Sequence, residues 1–139
     1  MKALSNLKVL DLSRLLPGNF CSMMLADYGA DVIKVELPKK PDPVRYFNPK
    51  KQGLSYWHIA VNRNKKSITL DYTKPQGRNI LLKLMQESDI LIESWRPGLM
   101  EKWQISYDQI KEIAPQLIYA SISGYGQKDR KSTRLNSSH

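Results

Sequence analysis

The sequence is 139 residues long, which suffices for one small domain with a hydrophobic core but for little more. Its 41% hydrophobic and 25% charged residues are ordinary for a globular protein, and no apolar run approaches the roughly 20 residues of a membrane helix. The formal net charge of +9 indicates an anionic partner: a nucleic acid, a membrane surface or a phosphorylated small molecule.

Short apolar runs alternate with helical patterns along the chain, which is the order typical of an α/β fold with a mostly parallel sheet. The predicted strands are residues 7–12, 32–36, 67–71, 90–93 and 117–122. The predicted helices are residues 17–29, 78–87, 100–103 and 107–113. Residues 37–53 contain four prolines and predict an extended surface loop, whereas residues 55–61 fit either a short helix or an extended segment.

The two ends of the sequence differ from its body. The first residues lack the apolar run and cleavage site of a signal peptide, so we expect a cytoplasmic protein. Residues 129–139 form a polar run with no hydrophobic period, and they resemble one reading-frame translation of a common sequencing adapter. We therefore expect a native domain over residues 1–128 and a non-native tail over 129–139; the alternative is a natural polar tail.

The cysteine and histidine content excludes several kinds of site. Cys21 is the single cysteine, so the sequence holds neither an internal disulfide nor a cysteine-built zinc site. The apolar neighbours of Cys21 predict a buried packing residue. His58 is the only histidine before residue 129, and no Ser-His-Asp set or metal-ligand cluster accompanies it. We therefore predict no bound metal and a structural role for His58.

Unusual residues concentrate in the loops that follow the predicted strands, where open parallel sheets bind ligands. Arg14 precedes a helix N-terminus, which suits an anion but is also common in ordinary turns. Trp95 and Arg96 place a guanidinium beside an aromatic ring, a pair that suits phosphate and a flat base. The cations of residues 62–67 fit a binding site or a solvated edge. No RNP motif, zinc-finger spacing, G-x-G-x-x-G or P-loop is present, which makes nucleic acid the weaker partner.

Five motifs occur in order along the chain: LDLSRLLPG at residues 10–18, LADYGADVIKVE at 25–36, NRNKKSI at 62–68, ESWRPG at 93–98 and SGYGQ at 123–127. None of them is specific by itself. The ordered set resembles the start of the family III CoA-transferases (CaiB/BaiF type), which also include the α-methylacyl-CoA racemases. The resemblance covers essentially all of residues 4–127.

The resemblance implies a Rossmann-like large domain, of which this chain would be the N-terminal part, and an interlocked homodimer in the full-length enzyme. It implies acyl-CoA and a carboxylic acid as small-molecule substrates, no permanently bound cofactor, and no nucleic acid or membrane partner. The family often has cations near positions 37 and 73, where this chain is neutral. Carried over by position, the residues in contact with coenzyme A (CoA) would be Leu16, Pro17, Leu37, Leu70, Asp71, Tyr72, Thr73, Ser94, Trp95, Arg96 and Lys102.

The resemblance also implies where the chemistry resides. The transferases use an aspartate nucleophile that forms acyl-anhydride and aspartyl-CoA thioester intermediates, and the racemases use a histidine and an aspartate to exchange the α-proton. Both sets lie beyond Gln127 in the family pattern, so we expect no catalytic residue in this chain. Our interpretation is a CoA-transferase segment; the alternatives are an α-methylacyl-CoA racemase and a non-catalytic nucleotide- or CoA-binding module.

Overall fold

A five-stranded parallel sheet forms the centre of the molecule in the computed structural model, which describes residues 2–127. Its strands lie in the order β5-β2-β1-β6-β7, and every neighbouring pair is parallel. A two-stranded antiparallel hairpin, β3-β4, lies apart from this sheet. The strand bounds are Lys8–Asp11 (β1), Asp31–Glu36 (β2), Lys50–Lys51 (β3), Leu54–Ser55 (β4), Lys65–Thr69 (β5), Ile90–Glu93 (β6) and Ile118–Ser121 (β7).

Helices connect the strands of the sheet, which confirms the predicted α/β class. Residues 55–61, left open by the sequence, contain a short helix that Ser55 caps by accepting a hydrogen bond from the His58 backbone N–H. Among residues 2–127 no helix is long and apolar enough to cross a membrane. The helix bounds are Leu15–Asp27 (α1), Tyr56–Val61 (α2), Pro75–Gln86 (α3), Leu99–Lys102 (α4) and Tyr107–Ile110 (α5), and Pro43–Tyr46 forms a 3-10 turn.

Helices α1 and α3 begin two and three residues before their predicted starts, and two further segments differ in kind or position. Strand β5 begins two residues before the predicted 67–71, because the parallel pairing with β2 starts at Val32 opposite Lys65. Residues 37–53 are not an extended surface loop throughout: they contain the 3-10 turn and β3, and they bury Asp42 and Val44. Local periodicity missed both features because contacts distant in sequence stabilise them. The predicted tail, residues 129–139, lies outside the described residues.

The core divides into two layers because successive strand residues point to opposite faces of the sheet. Leu10 and Leu91 pack on one face with Leu81 and Met85 of α3, and all four side chains are fully buried. The layer on the other face consists of Val9, Val32 and Ile92 with Ala26 of α1 and Ala30, and the half-buried Cys21 packs against it. Cys21 therefore packs against the core as its neighbours predicted, but it is only partly buried because it lies at the margin of this layer.

Gly77, in the first turn of α3, lies directly against the loop that follows β5. A Cβ atom at this position would stand 1.9 Å from the carbonyl oxygen of Asp71, which is a backbone atom that cannot rotate away. Glycine therefore allows α3 to begin close under the loop of residues 70–74. This loop contains four of the predicted CoA contacts.

Replacing Gly77 with alanine should destabilise the protein, although alanine is the better helix former by about 1 kcal/mol. We expect Gly77→Ala to cost about 1–3 kcal/mol through the steric conflict with Asp71. Asn79→Ala on the exposed side of α3 is the matched control, which should leave stability unchanged or raise it slightly. Thermal unfolding of the full-length protein measures both changes, and a Gly77→Ala variant as stable as Asn79→Ala would contradict the steric argument.

Candidate active-site edge

Four loops meet at the carboxyl edge of the sheet, where the parallel strands β5, β2, β1 and β6 end side by side. They are residues 12–14, 37–42, 70–74 and 94–98, and we call this the strand-end edge. Hydrogen bonds join loops that are far apart in sequence: the Arg14 backbone N–H donates to Ser94 Oγ at 2.8 Å, and the Leu15 N–H donates to Asp42 Oδ1 at 2.8 Å. The topology therefore brings together the loops in which the sequence concentrates its unusual residues.

An aromatic cluster lies beneath the strand-end edge. The indole Nε1–H of Trp95 donates to the Tyr72 hydroxyl oxygen at 3.0 Å, and the Trp103 ring lies edge-on to both rings, 5.0 Å from Trp95 and 5.9 Å from Tyr72. Burial raises the pKa of Tyr72, so its hydroxyl stays neutral. The Trp95 backbone N–H donates to Glu93 Oε1 at 2.9 Å. These contacts hold the Trp95 ring in one orientation.

The predicted CoA contacts divide into buried and accessible side chains. Tyr72, Trp95 and Leu37 are only 1%, 4% and 7% exposed and belong to the hydrophobic core, so their side chains form the floor of the edge. The accessible or partly accessible ones are Leu16, Pro17, Leu70, Asp71, Thr73, Ser94, Arg96 and Lys102. The contact of each of these residues with CoA stays a prediction.

The carboxylate of Asp71 is engaged within its own loop. Its Oδ1 accepts hydrogen bonds from the Thr73 backbone N–H at 3.1 Å and the Thr73 hydroxyl at 2.5 Å. The Thr73 hydroxyl lowers the pKa of Asp71, so the group is a carboxylate at neutral pH. This turn gives the loop after β5 a defined shape.

A cleft of about 820 Å³ opens beside the strand-end edge, between the ends of β6 and β7 and the helices α4 and α5. Arg96 is the one predicted CoA contact among its lining residues. Buried Glu93 also lines the cleft, and burial raises the pKa of its carboxyl. Lys102, in the helix that follows Arg96, does not line this cleft.

A buried ionic network lies behind the strand-end edge, and the sequence patterns did not reveal it. Lys34 of β2 donates from Nζ to Asp42 Oδ2 at 2.8 Å, to Asn19 Oδ1 at 2.6 Å and to the Ser13 carbonyl at 3.1 Å. Asp42 also accepts from Asn19 Nδ2 at 2.5 Å and from the Leu15 N–H. Lys34 and Asp42 are essentially inaccessible to solvent, so every charge in the network is satisfied inside the protein.

The cations of residues 62–67 are partnered by acids of the same chain. Lys65 Nζ bonds Asp11 Oδ2 at 3.1 Å in the interior, and burial lowers the pKa of this lysine despite the nearby carboxylate. Arg63 pairs with Asp27 at 2.7 Å, and Lys66 pairs with Asp31 at 3.1 Å. This group of cations is therefore part of the scaffold rather than a surface left for a ligand.

His58 lies outside the strand-end edge. Its Nδ1 is 3.1 Å from the Asn62 side-chain amide, and burial together with the charge of Arg45 lowers its pKa. The ring is therefore neutral at pH 7, and its contact with Asn62 links α2 to the residue that follows the helix. Within residues 2–127 no group of three His, Cys, Asp or Glu side chains is arranged to hold a metal ion.

Comparison with known proteins identifies the family. The sequence model of the CoA-transferase family III matches residues 4–137, which is nearly the whole chain. The chain belongs to CoA-transferase family III. An acyl-CoA transferase of Fusarium pseudograminearum is 43% identical over 95% of this chain and 31% of its own length. The human succinyl-CoA:glutarate CoA-transferase is 44% identical over 91% of this chain and 29% of its own length.

A solved structure agrees with this assignment. The CaiB/BaiF family protein from Brucella suis superimposes with a TM-score of 0.87 at 38% identity, over 96% of this chain and 36% of that one. The chain thus spans about a third of the length of the family III proteins it matches. The expected family and the Rossmann-like, mostly parallel fold are confirmed.

The acid dependence of this family III fold should follow from Asp42. Burial alone would raise the pKa of Asp42, but the charge of Lys34 and the hydrogen bonds from Leu15 and Asn19 outweigh it and hold the pKa below its ordinary value. The carboxylate therefore stabilises the fold above the unfolded pKa of about 3.9, and that contribution is lost as the pH falls through the lower pKa of the folded state.

Asp42→Asn should leave the Lys34 ammonium buried without its carboxylate and cost about 3–5 kcal/mol at pH 7. The difference from wild type should shrink as the pH falls below about 3.9, where the unfolded wild-type carboxylate begins to take up a proton while the folded one stays charged. Asp108→Asn is the matched control, because its exposed pair with Lys111 contributes at most about 1 kcal/mol. Thermal unfolding of the full-length wild type and both variants from pH 7 to pH 3 measures these stabilities. If the stability lost in Asp42→Asn did not change with pH, the Asp42 carboxylate would not be the source of the acid dependence.

Proposed function

We propose that this chain forms the CoA-binding part of a CoA-transferase that moves CoA from an acyl-CoA to a carboxylic acid. The observation that carries the proposal is the convergence of four strand-end loops on a buried aromatic floor, with the cations Arg96, Arg14 and Lys40 at its rim, in a member of CoA-transferase family III. A parallel sheet offers its ligand site at this edge, and CoA carries three phosphate groups that require positive charge.

Arg96 is the proposed phosphate contact that the sequence already indicated. It follows β6, it is exposed, and it has no ion-pair partner among residues 2–127. The left-handed conformation of Gly98, at φ 97°, turns the chain into α4 directly behind it. The guanidinium is therefore available at the mouth of the cleft, where it can pair with phosphate oxygens in two places at once.

The chemical step needs a nucleophile that we expect beyond Gln127. In the proposed reaction a carboxylate attacks the thioester carbonyl of the donor, a mixed anhydride forms, and the CoA thiolate leaves. The thiolate then attacks the enzyme's side of the anhydride, which releases the donor acid and leaves an enzyme thioester. The acceptor carboxylate next forms a second anhydride, from which the thiolate takes the new acyl group. Residues 2–127 would hold the CoA moiety throughout this exchange.

The full-length protein should also bury apolar side chains that are exposed in residues 2–127. Phe20 and Met24 of α1, Tyr28 directly after it and Trp57 of α2 are each about half exposed, and α1 and α2 are in contact. Exposed apolar clusters of this kind mark surfaces that another part of the protein or a second copy covers. We propose an interlocked homodimer, which a molar mass of one chain by light scattering would contradict.

The decisive experiment is a transfer assay with the full-length protein. Succinyl-CoA is the first donor to test, because the human relative is named for succinyl-CoA and glutarate. We expect new acyl-CoA products, seen by mass spectrometry, when a panel of carboxylic acids is supplied. Deuterium uptake at the α-carbon of a 2-methylacyl-CoA without transfer would instead establish the racemase alternative. CoA binding with neither reaction would support a binding module.

The chain of residues 1–139 alone should show no turnover in the same assay, since the family's aspartate and histidine–aspartate sets lie beyond Gln127 in the pattern described above. Steady turnover by this chain, with contaminating enzyme excluded by a mock purification, would mean that a nucleophile within it performs the transfer. The full-length protein measured in parallel is the positive control.

Arg96→Ala in the full-length protein should weaken CoA binding by about 1–3 kcal/mol, the usual contribution of a charge-assisted hydrogen bond. The loss should decrease as salt rises, because part of it is screened attraction. Arg63→Ala is the matched control: this arginine is paired with Asp27 and precedes β5, at the opposite end of the sheet. Calorimetric titration with CoA measures the affinity, and thermal melts measure stability. A ligand contact changes the CoA affinity, whereas a structural arginine changes the melting temperature. Unchanged CoA affinity would show that Arg96 does not bind CoA.

A further inference from the structure

Arg14 is fixed at the strand-end edge in a way that its sequence context did not reveal. Ser94 holds its backbone from both sides, since Ser94 Oγ accepts from the Arg14 N–H at 2.8 Å and donates to the Arg14 carbonyl at 3.2 Å. The guanidinium carbon lies 4.5 Å from the centre of the Trp95 ring. The Nε atom of Arg14 is buried, and no hydrogen-bond partner for it exists among residues 2–127. An unpaired buried donor of this kind is costly unless a ligand satisfies it.

Lys40 brings a second positive charge to the same ring. It lies in the loop after β2, and its Nζ is 5.6 Å from the centre of the Trp95 ring. The two charges are therefore no more than about 10 Å apart, which is within a Debye length at 0.1 M salt. They repel each other, and the fold holds them close together.

Among residues 2–127, Arg14 and Lys40 lack acidic partners, as Arg96 does, whereas the buried or half-buried cations nearby have them. Lys34 pairs with Asp42, and Arg45 pairs with Glu36 at 2.6 Å. In the part of the chain that the structure describes, neither Arg14 nor Lys40 forms a salt bridge. The protein thus neutralises the cations it buries and leaves two adjacent ones for an anion.

The geometry favours phosphate as that anion. A guanidinium over an indole ring can direct its terminal Nη–H groups to phosphate oxygens, and an ammonium supplies a second, freely oriented donor. Arg14 is also the residue that precedes α1, a 13-residue helix with no acidic side chain in its first turn, so the partial positive charge of the helix adds to the two cations.

We propose that Arg14 and Lys40 form a phosphate-binding pair over Trp95 that holds a phosphate group of CoA, in addition to Arg96. This inference rests on the proposed function, because it assumes that CoA occupies the strand-end edge. It adds two residues that were absent from the contacts expected by position. The proposal also gives the buried Trp95 a role, because its ring contacts both cations.

The test uses the full-length protein with three charge-removing variants: Arg14→Gln, Lys40→Gln and Lys39→Gln. Lys39 is the matched control, because it is an exposed lysine in the same loop that makes no contact with the Trp95 ring. Calorimetric titration with CoA and with dephospho-CoA gives the affinities. We expect Arg14→Gln and Lys40→Gln to weaken CoA binding roughly 10-fold or more, and Lys39→Gln to weaken it less than about 3-fold.

Comparison of CoA with dephospho-CoA shows which phosphate of CoA the Arg14–Lys40 pair binds. Equal losses for CoA and dephospho-CoA would assign the pair to the diphosphate, and a loss confined to CoA would assign it to the 3′-phosphate; both results support the proposal. If Arg14→Gln does not fold, Arg14→Lys keeps the charge without the bidentate edge and should still weaken binding. Thermal melts of all variants identify losses that come from unfolding.

Several results would overturn the proposal. Unchanged CoA affinity in Arg14→Gln and Lys40→Gln would do so, as would an equal loss in Lys39→Gln, which would indicate only diffuse attraction. A raised KM for the carboxylic acid with unchanged CoA affinity would assign the pair to the acid instead. If wild-type protein does not bind CoA, the proposed function fails together with this inference, whereas wild-type binding that the variants keep rejects the inference alone.

Discussion

The buried ion pair between Lys34 and Asp42 is the interaction on which the strand-end edge depends. Lys34 is part of β2, whereas Asp42 lies in the loop beyond it, so the pair folds that loop back onto the sheet. Asp42 then accepts from the backbone N–H of Leu15, which has a φ of 66° and begins α1. A non-glycine residue in this conformation requires such support. A carboxylate 27 positions beyond Leu15 thereby fixes the start of α1 and, with it, Arg14 just before the helix.

The buried Lys34–Asp42 network specifies the arrangement of the loops more than it adds to the free energy of unfolding. The cost of removing Lys34 and Asp42 from water is comparable to their mutual attraction, and the balance is favourable only because Asn19, Ser13 and backbone groups satisfy the remaining donors and acceptors. An apolar pair could fill the same volume, but it would not specify which loop meets which helix end. The network therefore suits a site whose loops must hold a fixed arrangement before a ligand arrives.

The sequence patterns predicted most of the sheet because apolar runs such as residues 32–36 and 90–93 report burial directly. They placed β5 two residues late, because this edge strand is mostly exposed and begins with two lysines, Lys65 and Lys66, whose pairing with Asp11 and Asp31 no local pattern shows. The loop after β2 was predicted to lie at the surface for a related reason: besides Lys34, the burial of Asp42 depends on Leu15 and Asn19 of α1, which are 27 and 23 positions away in the sequence. Partners distant in sequence leave no local pattern.

The sequence by itself determined the α/β class, the order of the elements, the family, and the four loops in which binding residues concentrate, since these depend on periodicity and on motifs carried in the chain. Only the tertiary structure decided which cations are neutralised by acidic side chains and which have no acidic partner and can bind an anion. Lys65 and Arg63 have acidic partners, whereas Arg14 and Lys40 meet at the Trp95 ring without one. The physical reason is that a charge is neutralised by neighbours within a few ångströms in space, and the fold alone sets those neighbours.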